Sequence, residues 1–449
     1  MFYYEGVLYR QINAEYRPIY EKAVDAALHE ELIRDGLLVG HDEVAINMFP
    51  RGRLPGDPYK VLRPQKIPFI SYPYEWSFSQ LKDAALLTLT LQKRVLVEGF
   101  SLSDASAYNV QFLNSRPVFI DTLSLEEYTE GAPWVAYRQF CQHFLAPLAL
   151  MSLSDIRLGQ LLRCYIDGVP LDLAARLLPK RSLLRLNIAM HIFLHARSQS
   201  RHRHTTTTGT PKQGRISKRS LLALLQSLES CIQALSWKPK DSEWADYYQS
   251  NNNYSDSGIE NKEALVGELM SKIQVNTVWD LGANTGRFSR IAARHAETVI
   301  AWDADVACVE GNYIATRASG GSILPLYVDL ANPSPGTGWA HTERESFVER
   351  GPAGCVLALG LIHHLRISNN TPLTRIADFL AGIGTYLIIE FVPKSDSQVR
   401  KLLRTREDIF SDYTQDEFLG AFQSRFTLIE ARPIADTDRS IYLFRRIER

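Results

Sequence analysis

Cysteine is scarce in this chain: Cys141, Cys164, Cys231, Cys308 and Cys355 stand far apart, odd in number and with no Cys-x-x-Cys pair among them. That spacing excludes a zinc ribbon, a dithiol redox motif and a disulfide framework, and it fits a reducing cytoplasm. No metal site is expected. An excess of one charge is lacking too, because 50 Lys and Arg stand against 50 Asp and Glu. A balanced chain exerts no overall pull on polyanions, so neither DNA, bulk nucleic acid nor a membrane is expected as a partner. No run of about eighteen apolar residues occurs. The opening Met1-Phe-Tyr-Tyr-Glu5 has neither a basic n-region nor an apolar h-region. The expectation is a cytoplasmic protein, neither secreted nor membrane-spanning. Internal repeats are absent as well.

What is present is length and apolar content. The 449 residues amount to about three typical domains, and a hydrophobic share of 45% allows sizeable cores. The clearest break runs from His195 to Arg215, a basic stretch low in apolar residues and rich in turn formers. Such a composition reads as a solvated connector. The expected division is an α+β domain over 1–194, a linker over 195–216, a helical and aromatic lid segment over 217–260 and an α/β domain over 261–449. Within the lid segment, Ser220 to Leu235 carries an apolar stripe at helical period and is expected to pack on the C-terminal domain.

The most informative segment is Val278-Trp-Asp-Leu-Gly-Ala-Asn-Thr-Gly286, an apolar strand running into a glycine-spaced turn and then a helix, Arg287 to Arg294. Gly282 and Gly286 let the backbone turn tightly and approach a ligand. Asn284 stands where a dinucleotide fold needs its middle glycine, which disfavours NAD. About twenty residues on, as a nucleotide fold requires of its ribose acid, the strand Thr298 to Trp302 ends at Asp303. Further apolar strands run to Asp329, through Cys355 to Gly360, and from Thr385 to Glu390. Strands alternating with helical stretches predict a Rossmann-like, doubly wound parallel sheet.

The pattern Asp280-x-Gly282-x-Asn284-x-Gly286 resembles motif I of class I S-adenosylmethionine-dependent methyltransferases, as found in bacteria. The resemblance implies S-adenosylmethionine as cofactor, seated over Gly282, Asn284 and Gly286. It places Asp280 near the amino-acid end, Asp303 on the ribose, Asp329 on the adenine amino group and Leu359 in the same cofactor-binding set. The methyl acceptor is unidentified. A base is needed only if the nucleophile arrives protonated, and His363 and His364, after the fourth strand, are the catalytic candidates. Strand alternation would turn one toward the cleft and the other toward packing; two histidines that only shape the cleft remain the alternative.

Two further residues are substrate-side candidates. Tyr254 closes the aromatic, amide-rich run from Trp244 and lies just upstream of an expected helix, Asn261 to Ile273; it reads either as a lid or as a surface anchor. Asn332-Pro-Ser-Pro335 resembles the Asn-Pro-Pro-Tyr tetrad of N-methyltransferases, but it follows the third strand and lacks the aromatic, so a stiffened loop is favoured. The long polar connection from Gly336 to Arg350 is expected to face the substrate side or the N-terminal domain.

The N-terminal domain carries a pattern of its own, Asp104, Asn109 five residues later and Asp121 after the strand from Arg116. It resembles the catalytic and metal-binding loops of the protein-kinase-like fold, where the first Asp orients an acceptor hydroxyl and the other two residues hold magnesium. Leu102 replaces the usual His, the phosphate-binding glycine loop is missing, and Arg10 stands where a strand Lys is wanted. In this resemblance Ile67 to Trp76 would be strand and hinge and Ser79 to Glu98 a long helix. A phosphotransferase or ATP site, a kinase-like scaffold for binding a substrate or protein, and a chance spacing all remain open.

Overall fold

The computed structural model describes residues 1–50, 52–194, 215–239, 254–404 and 406–448. The linker expected over 195–216 and the aromatic run from Trp244 to Asn253 lie almost entirely outside the described residues. The chain divides into two compact units, Met1–Lys238 and Pro239–Arg449.

The first unit opens with a four-stranded antiparallel sheet of order β1-β2-β4-β3, formed by β1 (Phe2–Tyr4), β2 (Val7–Asn13), β3 (His41–Val44) and β4 (Pro58–Pro64). Its two faces bury separate clusters, Tyr9, Phe49 and Val61 on one and Ile12, Tyr20 and Leu62 on the other. Helix α1 (Phe78–Val97) follows, started by a reciprocal cap in which Ser77 Oγ accepts from Gln80 N and Gln80 Oε1 accepts from Ser77 N. The stretch from Ile67 to Trp76 forms no strand, only a short 3-10 turn, Pro73–Glu75. Prolines 68 and 73 deny it ladder donors.

Beyond α1 the chain makes two small antiparallel pairs. β5 (Phe100–Leu102) pairs with β8 (Leu125–Glu127), and β6 (Val110–Leu113) with β7 (Arg116–Phe119). Asn114 and Ser115 turn the second hairpin with φ of +50° and +61°, the conformation a two-residue hairpin loop requires. A helical lobe completes the unit and includes α2 (Lys218–Ala234). This helix was expected on the C-terminal domain, but it belongs to the first unit. Leu221, Leu225, Leu228 and Ile232 are wholly buried, Lys93 Nζ reaches Glu229 Oε2 at 2.8 Å, and Lys82 Nζ donates to the carbonyls of Gln233 and Leu235. An apolar stripe shows that a helix face is covered, not what covers it. The segment expected over 217–260 is accordingly divided between the units.

The second unit is a seven-stranded sheet of order β11-β10-β9-β12-β13-β15-β14. Its strands are β9 (Thr277–Leu281), β10 (Thr298–Asp303), β11 (Ile323–Tyr327), β12 (Ala353–Ala358), β13 (Gly384–Phe391), β14 (Phe426–Pro433) and β15 (Ser440–Arg446). Only β15 runs antiparallel to its neighbours. Alternation along the strands splits the core. Val278, Val299, Ala301, Cys355 and Leu357 join Val266, Leu269 and Met270 of α3 (Asp256–Ser271), while Trp279 and Trp302 pack around Phe347. Helices α4 (Arg287–Ala292), α5 (Val306–Ser319), α6 (Leu373–Ile383), α7 (Ser397–Leu403) and α8 (Gln415–Gln423) supply the rest.

The connection from β11 to β12 has no longer helix than the 3-10 turn Trp339–His341. Instead Phe347, fully buried, meets Trp279 at a tilt and Trp302 edge-on and stacks on Phe379. The long polar segment expected to face the substrate side or the N-terminal domain thus plugs one sheet face through Phe347.

Candidate functional site

The strand order reverses between β9 and β12, and in an open α/β sheet ligands bind in the crevice outside the strand ends at such a switch point. The turn from Leu281 to Gly286 fills that place. Gly282, Asn284 and Gly286 have φ of +75°, +51° and +80°, a left-handed run that glycine and asparagine tolerate best. Gly286 is also a close approach: a Cβ there would lie 2.6 Å from Asn312 Cγ of α5. A Cβ on Gly282 would meet only Leu361 Cδ1, at 3.6 Å. The end of β9 and the loop after β12 thus face each other across the switch point.

Two acids set the polarity of the turn. Asp303, at the end of β10, accepts from Asn284 N at 2.7 Å and from Asp305 N at 2.7 Å, so it holds the loop and keeps further lone pairs for a ligand. Asp280 is buried inside β9 and accepts from Ser289 Oγ at 2.6 Å. Burial pushes both carboxyls up, each to about 6. Asp280 serves the inside of the turn, whereas Asp303 stands at its rim.

The other sequence-derived candidates are spread around this centre. Asp329 lies two residues beyond β11, is exposed, and accepts from Ala331 N at 2.9 Å. Asn332 is also exposed, and its N–H donates to the Asp329 carbonyl. Leu359 is buried just after β12. His363 and His364 lie in no strand: β12 ends at Ala358, and the two histidines sit in a helical turn with ring centroids 4.2 Å apart. Gly360, with φ of +65°, breaks the strand there. His363 is buried with Nδ1 unpartnered, and burial, His364 and the cations Arg439 and Lys262 hold its imidazole well below the ordinary histidine range. His364 is half-buried.

Tyr254 stands immediately before α3 and belongs to a buried charge cluster that the sequence reading missed. Its hydroxyl donates to Glu390 and accepts from Lys262 Nζ at 3.1 Å and Arg439 Nη1 at 2.5 Å. Lys262 Nζ reaches Glu390 Oε2 at 2.7 Å, and Arg439 Nε reaches Asp396 Oδ2 at 2.8 Å. Although burial opposes it, Lys262 and Arg439 hold the Glu390 carboxyl down to about 2. A Cβ on Gly360 would lie 3.7 Å from Glu390 Oε2, which places the cluster against the loop after β12. Lys262 was detectable: it stands four residues before Val266, on the apolar stripe of α3. Arg439, in the turn between β14 and β15, gives no such signal.

On the outer side of the same turn, a groove of about 710 Å³ opens between α3 and α4, lined by Glu260, Glu263, Thr285, Arg287 and Arg290. It contains neither Asp303 nor His363 and so is separate from the switch-point crevice.

In the first unit, Asp121 forms an ion pair with Arg10 of β2 and accepts from Leu123 N. The hairpin β6–β7 brings Asn109 beside it, since Ile120 N donates to the Asn109 carbonyl at 2.8 Å. Asn109 Nδ2 is buried without a partner. Asp104 Oδ1 accepts from Ser106 N at 2.8 Å, closing its own turn.

No family model matches the chain. Among solved structures, the N-methyltransferase NodS from Bradyrhizobium japonicum WM9 aligns at 13% identity over 43% of this chain and 99% of NodS, with a TM-score of 0.33. The magnesium protoporphyrin IX methyltransferase ChlM from Synechocystis PCC 6803, with S-adenosylhomocysteine bound, aligns at 15% identity over 45% of this chain and 98% of its own, with a TM-score of 0.31. The nodulation protein NoeA of Rhizobium meliloti (strain 1021) is 38% identical over 422 residues, spanning 93% of this chain and 88% of NoeA. At that identity and reach, the chain belongs to the family of NoeA.

Proposed function

We propose that the second unit is a class I S-adenosylmethionine-dependent methyltransferase. The observation that carries the reading is the left-handed turn Gly282–Gly286 tied by its Asn284 N–H to the Asp303 carboxylate at the switch point. The residues fit the cofactor. The turn offers a bare backbone at Gly282, Asp303 keeps acceptor capacity for two ribose hydroxyls, Asp329 stands exposed for the adenine amino group, and Asp280 and Leu359 line the inner side. When bound, S-adenosylmethionine supplies an electrophilic methyl on a sulfonium.

The chain then has to position an acceptor and exclude water, which alone accounts for several kcal/mol of barrier. His363, held neutral beside two cations, is suited to orienting an acceptor by a hydrogen bond and not to storing its proton. That leaves the more exposed His364 as the candidate base. Tyr254 and Asn332 are assigned to the acceptor side, and the first unit to binding the acceptor or a partner. A second reading, a phosphotransferase-like first unit beside the methyltransferase, is favoured by one observation, the grouping of Arg10, Asn109 and Asp121.

Isothermal titration with S-adenosylmethionine tests the assignment. The native chain should bind and Asp303→Ala should not. Because the Asp303 carboxyl is raised to about 6, protonation as pH falls removes its charge and turns one of its two accepting oxygens into a donor, so affinity should be weaker at about pH 5 than at about pH 8. Undiminished binding by Asp303→Ala would end the proposal. A catalytically idle cofactor-binding scaffold is separated by slow conversion to S-adenosylhomocysteine in the presence of cell extract, which it would not show.

A further inference from the structure

Three leucines of the first unit are exposed to water, two of them almost fully. Leu183 is 50%, Leu184 88% and Leu186 78% exposed, and they fall in one short stretch, the 3-10 turn Lys180–Leu184 and the two residues after it. Lys180, Arg181 and Arg185 are interleaved with them and are exposed as well. Among the described residues none of these three cations forms an ion pair. Beside the turn lies a cavity of about 410 Å³, lined by Ser152, Leu153, Arg181, Ser182, Leu184 and Arg185. The stretch of sequence that contains the turn is one-sided: from Leu173 to Leu228 there are eleven Lys and Arg and no Asp or Glu, in a chain whose charges cancel only as a whole.

Adjacent leucines this exposed are costly in water, and folded surfaces seldom gather them unless something covers them. The chemistry of the cover can be read from the mixture. A nucleic acid would answer the cations but not the leucines, since single strands stack on aromatic side chains and duplexes present phosphates. A surface that is anionic outside and hydrocarbon beneath answers both, because leucines enter the acyl boundary while Lys and Arg keep their charged ends among the headgroups. Whole-chain neutrality concealed this, since charge acts over about a Debye length and not over a molecule.

We propose that the Lys180–Leu186 turn is a docking element that seats this protein on an anionic phospholipid surface, with Arg181 and Arg185 taking a headgroup phosphate at the cavity between them. The contact is peripheral, as no helix among the described residues is long and apolar enough to cross a membrane. It is independent of the methyl-transfer reading, because it uses only residues of the first unit.

Co-sedimentation of the full chain with vesicles tests it, using phosphatidylglycerol and phosphatidylcholine in equal parts against phosphatidylcholine alone. The native chain should pellet with the anionic vesicles and lose binding as salt is raised. The double variant Leu184→Glu, Leu186→Glu should partition about tenfold more weakly or worse, and Arg181→Ala, Arg185→Ala should lose the preference for phosphatidylglycerol. Since these side chains are exposed, both variants should melt as the native chain does by circular dichroism. Failure of the native chain to pellet, equal pelleting with both vesicle types, or anionic binding untouched by the leucine variant would each overturn the proposal. So would abolition of binding by inorganic phosphate at matched ionic strength, which would assign the cavity to a soluble anion. A dimer seen by light scattering and broken by the leucine variant, without vesicle binding, would assign the patch to a second copy of the chain.

Discussion

Gly282 and Gly286 occupy equivalent places in the motif but are held by different physics. Both have left-handed φ, so an alanine at either is strained by about 1 kcal/mol. At Gly286 the added Cβ would also overlap Asn312, which is buried at 1% exposure and cannot swing away. At Gly282 the nearest atom, Leu361 Cδ1 at 3.6 Å, is an ordinary contact. Gly286→Ala should therefore lower stability by about 2–3 kcal/mol and disrupt the turn, whereas Gly282→Ala should cost only the strain while crowding the ligand side. Denaturant unfolding separates the two, and equal losses would show that Asn312 yields. The need for glycine at both sites was legible in the sequence, because a strand followed by this spacing admits few backbone paths. The need for Asn312 opposite Gly286 was not, since it depends on how closely α5 approaches.

Element by element, the five parallel strands β9 to β13 were the most readable part of the second unit, because buried parallel strands are continuous apolar runs that acids and glycines punctuate, whereas β14 and the antiparallel β15 were not read. β10 matches the expectation at both ends, and β12 differs by two residues, starting at Ala353 and stopping at Ala358. That small shift changes the chemistry: His363 and His364 leave the alternation of a strand and enter a helical turn, where neighbouring residues diverge by about 100°. The cluster joining α3, β13 and the β14–β15 turn was hidden for another reason. Charge pairing between residues as distant as Lys262, Glu390 and Arg439 is a property of packing and leaves no periodic trace. Because Glu390 is fully buried with two cations on it, Glu390→Gln would leave uncompensated positive charge in the interior and should cost about 3–5 kcal/mol. Lys272, paired with Glu268 and Glu430 on the surface where water screens the charges, should lose little on mutation to Ala. Calorimetry should show a drop in melting temperature on the order of 10 °C for the first and little for the second; comparable drops would mean the buried cluster relaxes by admitting water.

At the scale of the whole molecule, the chain forms two compact units whose point of division composition does not mark. The break falls between Lys238 and Pro239, some twenty residues beyond the basic tract, because α2 carries on the first unit's core after that tract. The partners of α2, Lys82 and Lys93 on α1, are more than a hundred residues upstream, a distance that periodicity cannot bridge. The second unit, in contrast, builds its core from its own residues, from Ile259 to Leu443. A unit with a self-contained core should fold alone. A fragment from Pro239 to Arg449 is expected to unfold in one cooperative transition, and S-adenosylhomocysteine at about a hundred times its Kd should stabilise it by about 2.7 kcal/mol. That is a rise of about 5–10 °C for a unit of this size, and the full chain should show the same rise in the transition belonging to this unit. A fragment that folds but gives no such rise, while the full chain does, would show that residues of the first unit complete the cofactor site.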